Sequence, residues 1–161
     1  MTDIYWGDSR LERVETGGDG ELVHRDGEVF YKITNYHTMP AFFIAVVSSS
    51  DHWMFVSSTG GLTCGRKDHD NALFPYYTDD KIHDAGATTG PQTALLVAKD
   101  GKTQLWKPFS RDVNVYRVER NLYKNLSGTR LIFEELNHSL GLGYSYCWSN
   151  SEKFGFVKTS N

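Results

Sequence analysis

The sequence has little of what would tie it to a disulfide scaffold, a membrane or a nucleic acid. Cysteine is scarce: only Cys64 and Cys147 occur in 161 residues, without framework spacing. Two isolated thiols fit a reducing compartment at least as well as an oxidising one, so the cytoplasm is the expected location. Long apolar runs are missing too. The longest, "MPAFFIAVV" from Met39 to Val47, is too short to span a bilayer and too far from the N-terminus to act as a signal peptide. There is no basic excess, since 17 Lys and Arg face 20 Asp and Glu for a net charge of -3. Binders of nucleic acid usually carry a basic patch or stripe, so neither nucleic acid nor membrane is expected as a partner. No Gly-x-Ser-x-Gly elbow, phosphate-cradling Walker loop, internal repeat or low-complexity tract appears.

What is present is apolar and aromatic. At 39% hydrophobic and 14% aromatic, the chain is long enough for one domain with a real core. Strand signals run along most of it. "ELVHRDGEVFYKITN" holds two short runs around Asp26-Gly27, a dipeptide that accepts the positive φ of a type I′ turn, and so reads as a hairpin. "TALLVAKDGKTQLW" repeats the device at Asp100-Gly101, and its Leu- and Val-rich first arm, Thr93 to Ala98, reads as buried on both faces or against a second sheet. Phe42 to Val47 and Trp53 to Ser57 add two arms, and four later runs alternate apolar and polar residues. Eight to ten strands are expected. One helix start stands out, with Thr78 as N-cap, Asp79 and Asp80 in the first turn, and Gly86 as the end. The expected fold is all-β: an antiparallel β-sandwich with at most one or two short helical turns.

The stretch from Ser57 to Ile82, "SSTGGLTCGRKDHDNALFPYYTDDKI", is long for a connection and chemically mixed. Long loops in compact domains are usually functional or disordered, and its aromatics argue against disorder. Sugars are held by flat aromatic faces against their C–H surfaces and by planar polar groups against their hydroxyls. The stretch and its neighbour Trp53 supply both. Trp53, Tyr76 and Tyr77 are the candidate platform, Arg66, Asp68, Asp70 and Asn71 the candidate hydrogen-bonding groups, and the glycines would admit a ligand close to the backbone. An oligosaccharide or glycan is the expected partner. The bland alternative is core aromatics and solvated Asx turns.

The order "SSTGGLTCGRKDHDNALFPYYTDDKIHDAG", a hairpin ending in "LWKPF", then "YRVERNLYKN" and "EKFGFVKTSN" resembles the N-terminal β-sandwich region of the cellobiose phosphorylase family and its uncharacterised bacterial relatives, over roughly residues 40 to 161. The resemblance implies a β-supersandwich of the galactose-mutarotase-like type. It further implies an N-terminal part of a larger carbohydrate-active enzyme, whose C-terminal (α/α)6 barrel holds the catalytic acid and is missing here. In that family the glycine-pair loop reaches toward an active site. The segment from Gly60 to Asn71 is therefore expected to protrude, with Phe74 and Pro75 as its apolar foot and Tyr76 and Tyr77 split between core and surface. A sandwich cut short would leave an exposed strand edge or apolar face, and with it a route to a homodimer.

Other chemistries find less support. Cys64, His69 and His83 match no compact zinc pattern. Asp68, Asp70, Asn71 and Asp79 or Asp80 hold oxygens suited to calcium, without EF-hand spacing. No metal and no cofactor is assigned. Glu134 and Glu135 are adjacent on a strand and point to opposite faces, so they cannot flank one glycosidic bond, and an exposed and a half-buried carboxylate on an edge is the simpler account. No catalytic residue is assigned. The expected function is a non-catalytic domain of a glycoside phosphorylase-like or glycoside hydrolase-like enzyme that shapes the substrate entrance or an oligomer contact. The alternatives are a free-standing carbohydrate-binding module and a small sugar epimerase or mutarotase. The last would need His24, His37 or His138 to meet a Glu in one pocket.

Overall fold

The computed structural model describes residues 5–6, 9–10, 18–110 and 115–161. It is an antiparallel β-sandwich. Strands β1 (Tyr5–Trp6) and β2 (Ser9–Arg10) pair as a short ribbon. The main sheet has six strands: β3 (Asp19–Arg25), β4 (Glu28–Thr34), β10 (Val118–Asn125), β11 (Arg130–Asn137), β12 (Leu142–Ser151) and β13 (Gly155–Ser160), in the spatial order β13-β12-β11-β10-β4-β3. A second sheet of β5 (Phe43–Val46), β6 (His52–Ser57) and β7 (Leu62–Arg66) lies against it. β8 (Leu95–Lys99) and β9 (Lys102–Trp106) form a separate hairpin.

Both Asp-Gly dipeptides turn as the sequence predicts. Asp26 and Gly27 sit at φ 52° and 80°, Asp100 and Gly101 at 51° and 71°, the double positive φ of a type I′ hairpin. Period-two alternation then sorts the side chains. From the small sheet, Ile44, Val46, Met54, Val56, Leu62 and Cys64 point inward and meet Leu122, Leu131, Phe133 and Tyr146 of the large sheet. Phe133 stacks on its neighbour Tyr146 in the large sheet (5.0 Å, 16°) and takes Tyr36 edge-on at 5.7 Å, so rings fill the large-sheet side of this core. The opposite face of the large sheet buries a smaller group, Phe30, Tyr123, Ile132 and Cys147. Cys64 and Cys147 are thus free thiols on opposite sides of one sheet and do not pair.

Among the described residues helical structure is confined to single turns: α1 (Asp79–Ile82), which starts after an extended Thr78 that makes no side-chain cap and ends at Ile82 rather than at Gly86, and 3-10 turns at Tyr36–Thr38, His69–Asn71 and Ala85–Ala87. No helix among the described residues is long and apolar enough to cross a membrane.

Three expectations need correction. The Thr93 to Ala98 arm is not buried on both faces. Among the described residues β8 pairs with β9 alone, and Leu96 stays 75% exposed, so its apolar composition misled. β11 is not an edge but lies within the large sheet, and Glu135 is 1% exposed rather than half-buried. The Gly60 to Asn71 segment does not protrude as one loop, because Leu62–Arg66 is a strand paired along β6.

A buried charge explains how the connector after β9 is fixed. One oxygen of Glu135 accepts from Trp106 Nε1 (2.8 Å), and the other from the Phe109 amide (2.6 Å) and Arg120 Nε (2.7 Å). The Arg120 Nη2 donates onward to the Ser110 carbonyl at 2.8 Å. A buried carboxylate is tolerable only when its lone pairs are filled in this way.

Candidate functional site

The outward face of the small sheet carries the site. Its side chains are Phe43 and Ala45 from β5, Trp53, Phe55 and Ser57 from β6, and Thr63 and Gly65 from β7. The chain beyond β7 covers part of this face. Residues 72–77 run across β7: Gly65 bridges to Ala72, the Leu73 amide donates to the Cys64 carbonyl (2.9 Å), and Thr63 Oγ1 donates to the Pro75 carbonyl (2.9 Å). Phe74 and Pro75 are therefore a strap lying over the sheet with their side chains exposed, not an apolar foot beneath it. The turn α1 and the residues after it cover the far end, where His83 meets Ser57.

An aromatic ledge is left open. Phe43 lies 4.9 Å from Phe55, Phe55 5.9 Å from Trp53, Trp53 5.7 Å from Tyr76, and Tyr76 5.9 Å from His69, ring centre to ring centre. Phe43, Phe55 and Trp53 are tilted by only 31° and 32° to one another, while Tyr76 meets Trp53 near-perpendicularly at 75°. Phe43 is 42% and Tyr76 56% exposed. Gly65 sits opposite Trp53, and a Cβ there would collide with the indole, so the glycine lets Trp53 lie flat across β7.

The polar rim is the turn from Lys67 to Asn71. Asp68 Oδ1 accepts from the Asp70 amide (3.1 Å) and from Asn71 Nδ2 (2.6 Å), and the Asp68 carbonyl accepts from Trp53 Nε1 (3.1 Å). The turn thus locks the indole in place. His69 and Asp70 pair at 3.4 Å at the exposed tip. Of the sequence candidates, Trp53, Asp68, Asp70, Asn71 and Tyr76 come together here. Arg66 ends β7, exposed beside them, and Tyr77 lies further along the strap, half-buried. Phe43 and Phe55 were missed, although the outward positions of alternating strands marked them.

The Asn71 amide, helped by the backbone N–H groups of Asn71 and Asp70, holds the Asp68 carboxyl below its ordinary value of 3.8. A carboxylate whose folded pKa is depressed contributes fully above its ordinary value, and that contribution drains away as pH falls from the ordinary value through the lower folded one. The fluorescence of Trp53, taken as the difference between the protein and its Trp53→Phe variant, should titrate with a midpoint below 3.8. A change centred above 3.8 would show that Asp68 does not hold the turn.

The glycine pair does something else. Gly60 turns the chain at φ 94° with open space around its Cα, whereas a Cβ on Gly61 would strike the Ile82 carbonyl and the Ala85 backbone. Gly86 faces the Thr59 carbonyl and Gly90 the carbonyls of Gly86 and Gly60 in the same way. Gly61, Gly86 and Gly90 thus let the turn at residues 59–61 and residues 82–90 of the same chain pack backbone to backbone. Thr89 seals the contact by accepting from the Leu62 amide through its buried hydroxyl (3.0 Å). Ser57, Thr59 and His83 close a hydrogen-bond ring: Ser57 Oγ is 2.7 Å from His83 Nδ1 and 2.9 Å from Thr59 Oγ1, and Thr59 Oγ1 donates to the His83 carbonyl at 2.8 Å. With the Thr59 proton committed to that carbonyl, the arrangement that satisfies every group has His83 Nδ1–H donating to Ser57 and Ser57 donating to Thr59.

Two clefts of about 290 and 300 Å³ share Thr59 and Ser110 in their walls. His83, Asp84 and Lys107 line the first, His37 and Arg120 the second, and among the described residues neither wall contains a glutamate. His138 approaches Glu119 at 3.8 Å, outside both clefts. Cys64 is buried in the inter-sheet core, which pushes its thiol up to about 11, away from the His69 tip and from metal-ligand chemistry. Among the described residues no three His, Cys, Asp or Glu side chains converge as a metal site. Compared with known proteins, the chain matches no protein-family model and no curated protein sequence.

Proposed function

We propose that this chain is a non-catalytic β-sandwich domain that contacts oligosaccharide through the aromatic ledge. One observation carries the reading: a continuous row of exposed and half-exposed rings ends at a turn of carboxylate and amide groups that also fixes the central indole. Flat rings cover the C–H faces of successive sugars, and the Asp68 to Asn71 turn offers acceptors and donors to hydroxyls at the rim. The resemblance noted in the sequence would put this domain at the front of a carbohydrate-active enzyme, with the ledge guiding a glycan toward a separate catalytic domain. A reducing cytoplasm suits the two unpaired thiols.

The ledge favours direct binding by the domain over a purely structural part in an oligomer contact, and calorimetric titration separates the two. The chain should bind cellohexaose or maltohexaose, and Trp53→Ala should weaken binding at least tenfold, about 1.4 kcal/mol, with the fold retained. No heat with either hexasaccharide, or equal affinity in the variant, would defeat the reading.

A further inference from the structure

The two clefts beside Thr59 have chemistry of their own. In the first, Asp84 and Lys107 bring opposite charges to one opening, yet neither side chain makes a hydrogen bond or ion pair with a described residue. Their charges offset, which favours a neutral ligand over an anion or a cation. Gln92 and Thr93 add neutral polar groups and Phe109 an aromatic face, the mixture of donors, acceptors and ring surface that a pyranose uses. At about 290 Å³ the cleft lies at the small end of ligand pockets, which run from roughly 300 to 1,000 Å³. The second cleft is nearly the same size, shares Thr59 and Ser110 as a common wall, and offers Arg120 and His37 beside the apolar Met39. The partition is stiff, because Thr59 is held in the ring with Ser57 and His83, and the turn behind it is locked backbone to backbone by Gly61, Gly86 and Gly90.

Two adjoining compartments of like size on a preorganised wall suit a ligand made of two like units. From this we infer that the paired clefts form a second saccharide site, separate from the ledge, which takes a disaccharide with one ring in each cleft. The inference extends the carbohydrate reading but rests on different residues, so each can fail alone.

The test uses saturation-transfer NMR and titration of the whole chain with glucose, maltose and cellobiose. At least one disaccharide should bind tenfold or more tightly than glucose. Ala87→Trp fills the first cleft and Ala41→Trp the second, both from exposed positions; either should bring disaccharide affinity down to that of glucose. Asp84→Ala removes polar chemistry without adding bulk and should weaken binding at least threefold. Trp53→Ala should leave disaccharide binding unchanged while it weakens hexasaccharide binding at least tenfold. Disaccharide binding that is lost in Trp53→Ala, or kept in all three cleft variants, overturns the second site and leaves the ledge standing. Binding of the zwitterion glycine or of inorganic phosphate in place of either disaccharide would also overturn it.

Discussion

Glu135→Ala is expected to lower the melting temperature by on the order of 10 °C. The substitution leaves the Arg120 guanidinium without its carboxylate, and the Trp106 indole N–H and Phe109 amide without an acceptor. Breaking a buried pair from one side costs roughly 3–5 kcal/mol. A domain of this size loses about 2–4 °C per kcal/mol, which sets the scale of the shift. The mechanism makes a second demand. Replacing both partners, Arg120→Met with Glu135→Leu, should recover much of the loss, because apolar pairs of similar volume often match or exceed a buried ion pair. Differential scanning calorimetry on the single and double variants decides it: a double variant no more stable than Glu135→Ala would mean that the loss comes from the connector's hydrogen bonds and not from the stranded charge.

Gly61→Ala should be nearly as damaging, and Gly60→Ala much less so. At Gly61 an added methyl meets backbone on both sides, the Ile82 carbonyl and the Ala85–Gly86 peptide, and neither can swing away as a long side chain would. Overpacking costs typically 1–3 kcal/mol, and a rigid obstacle on both sides places the change at the upper end, about 3 kcal/mol or a fall on the order of 10 °C. At Gly60 nothing lies within reach of a Cβ, so only the positive φ counts, roughly 1–2 kcal/mol. Adjacent glycines in one tight turn are therefore expected to differ by about twofold in their effect on stability. Equal losses at both positions would show that residues 82–90 do not press on the turn.

This pair also shows how far the sequence could be read. The Asp-Gly hairpins were legible because a type I′ turn is decided by two neighbouring residues. Gly61 was not, because the residue that demands it, Ile82, is distant in sequence and part of another element. "LTCGR" reads as loop through its glycine and basic end, although Leu62 and Cys64 on one face and Thr63 and Gly65 on the other keep the period of a strand. The ledge lay between these cases. Trp53 and Tyr76 could be singled out as sugar-binding types, but that the strap at Pro75 would bring Tyr76 back to Trp53 depended on pairing across β7. Glu135 was legible only as one of two adjacent carboxylates on opposite faces of a strand; its partners come from 15, 26 and 29 residues away.

The placement of the two cysteines gives the molecule a pair of internal clocks. A reagent that captures thiols as they surface can reach Cys64, 2% exposed, only when the small sheet lifts off the large one, whereas Cys147 lies at 8% exposure among side chains of the large sheet's other face. Partial openings of a native protein occur at their own free energies, below that of global unfolding. The capture rate at Cys64 therefore times the parting of the two sheets, and that at Cys147 the loosening of side chains on the far face, in an unmodified chain that needs no introduced label.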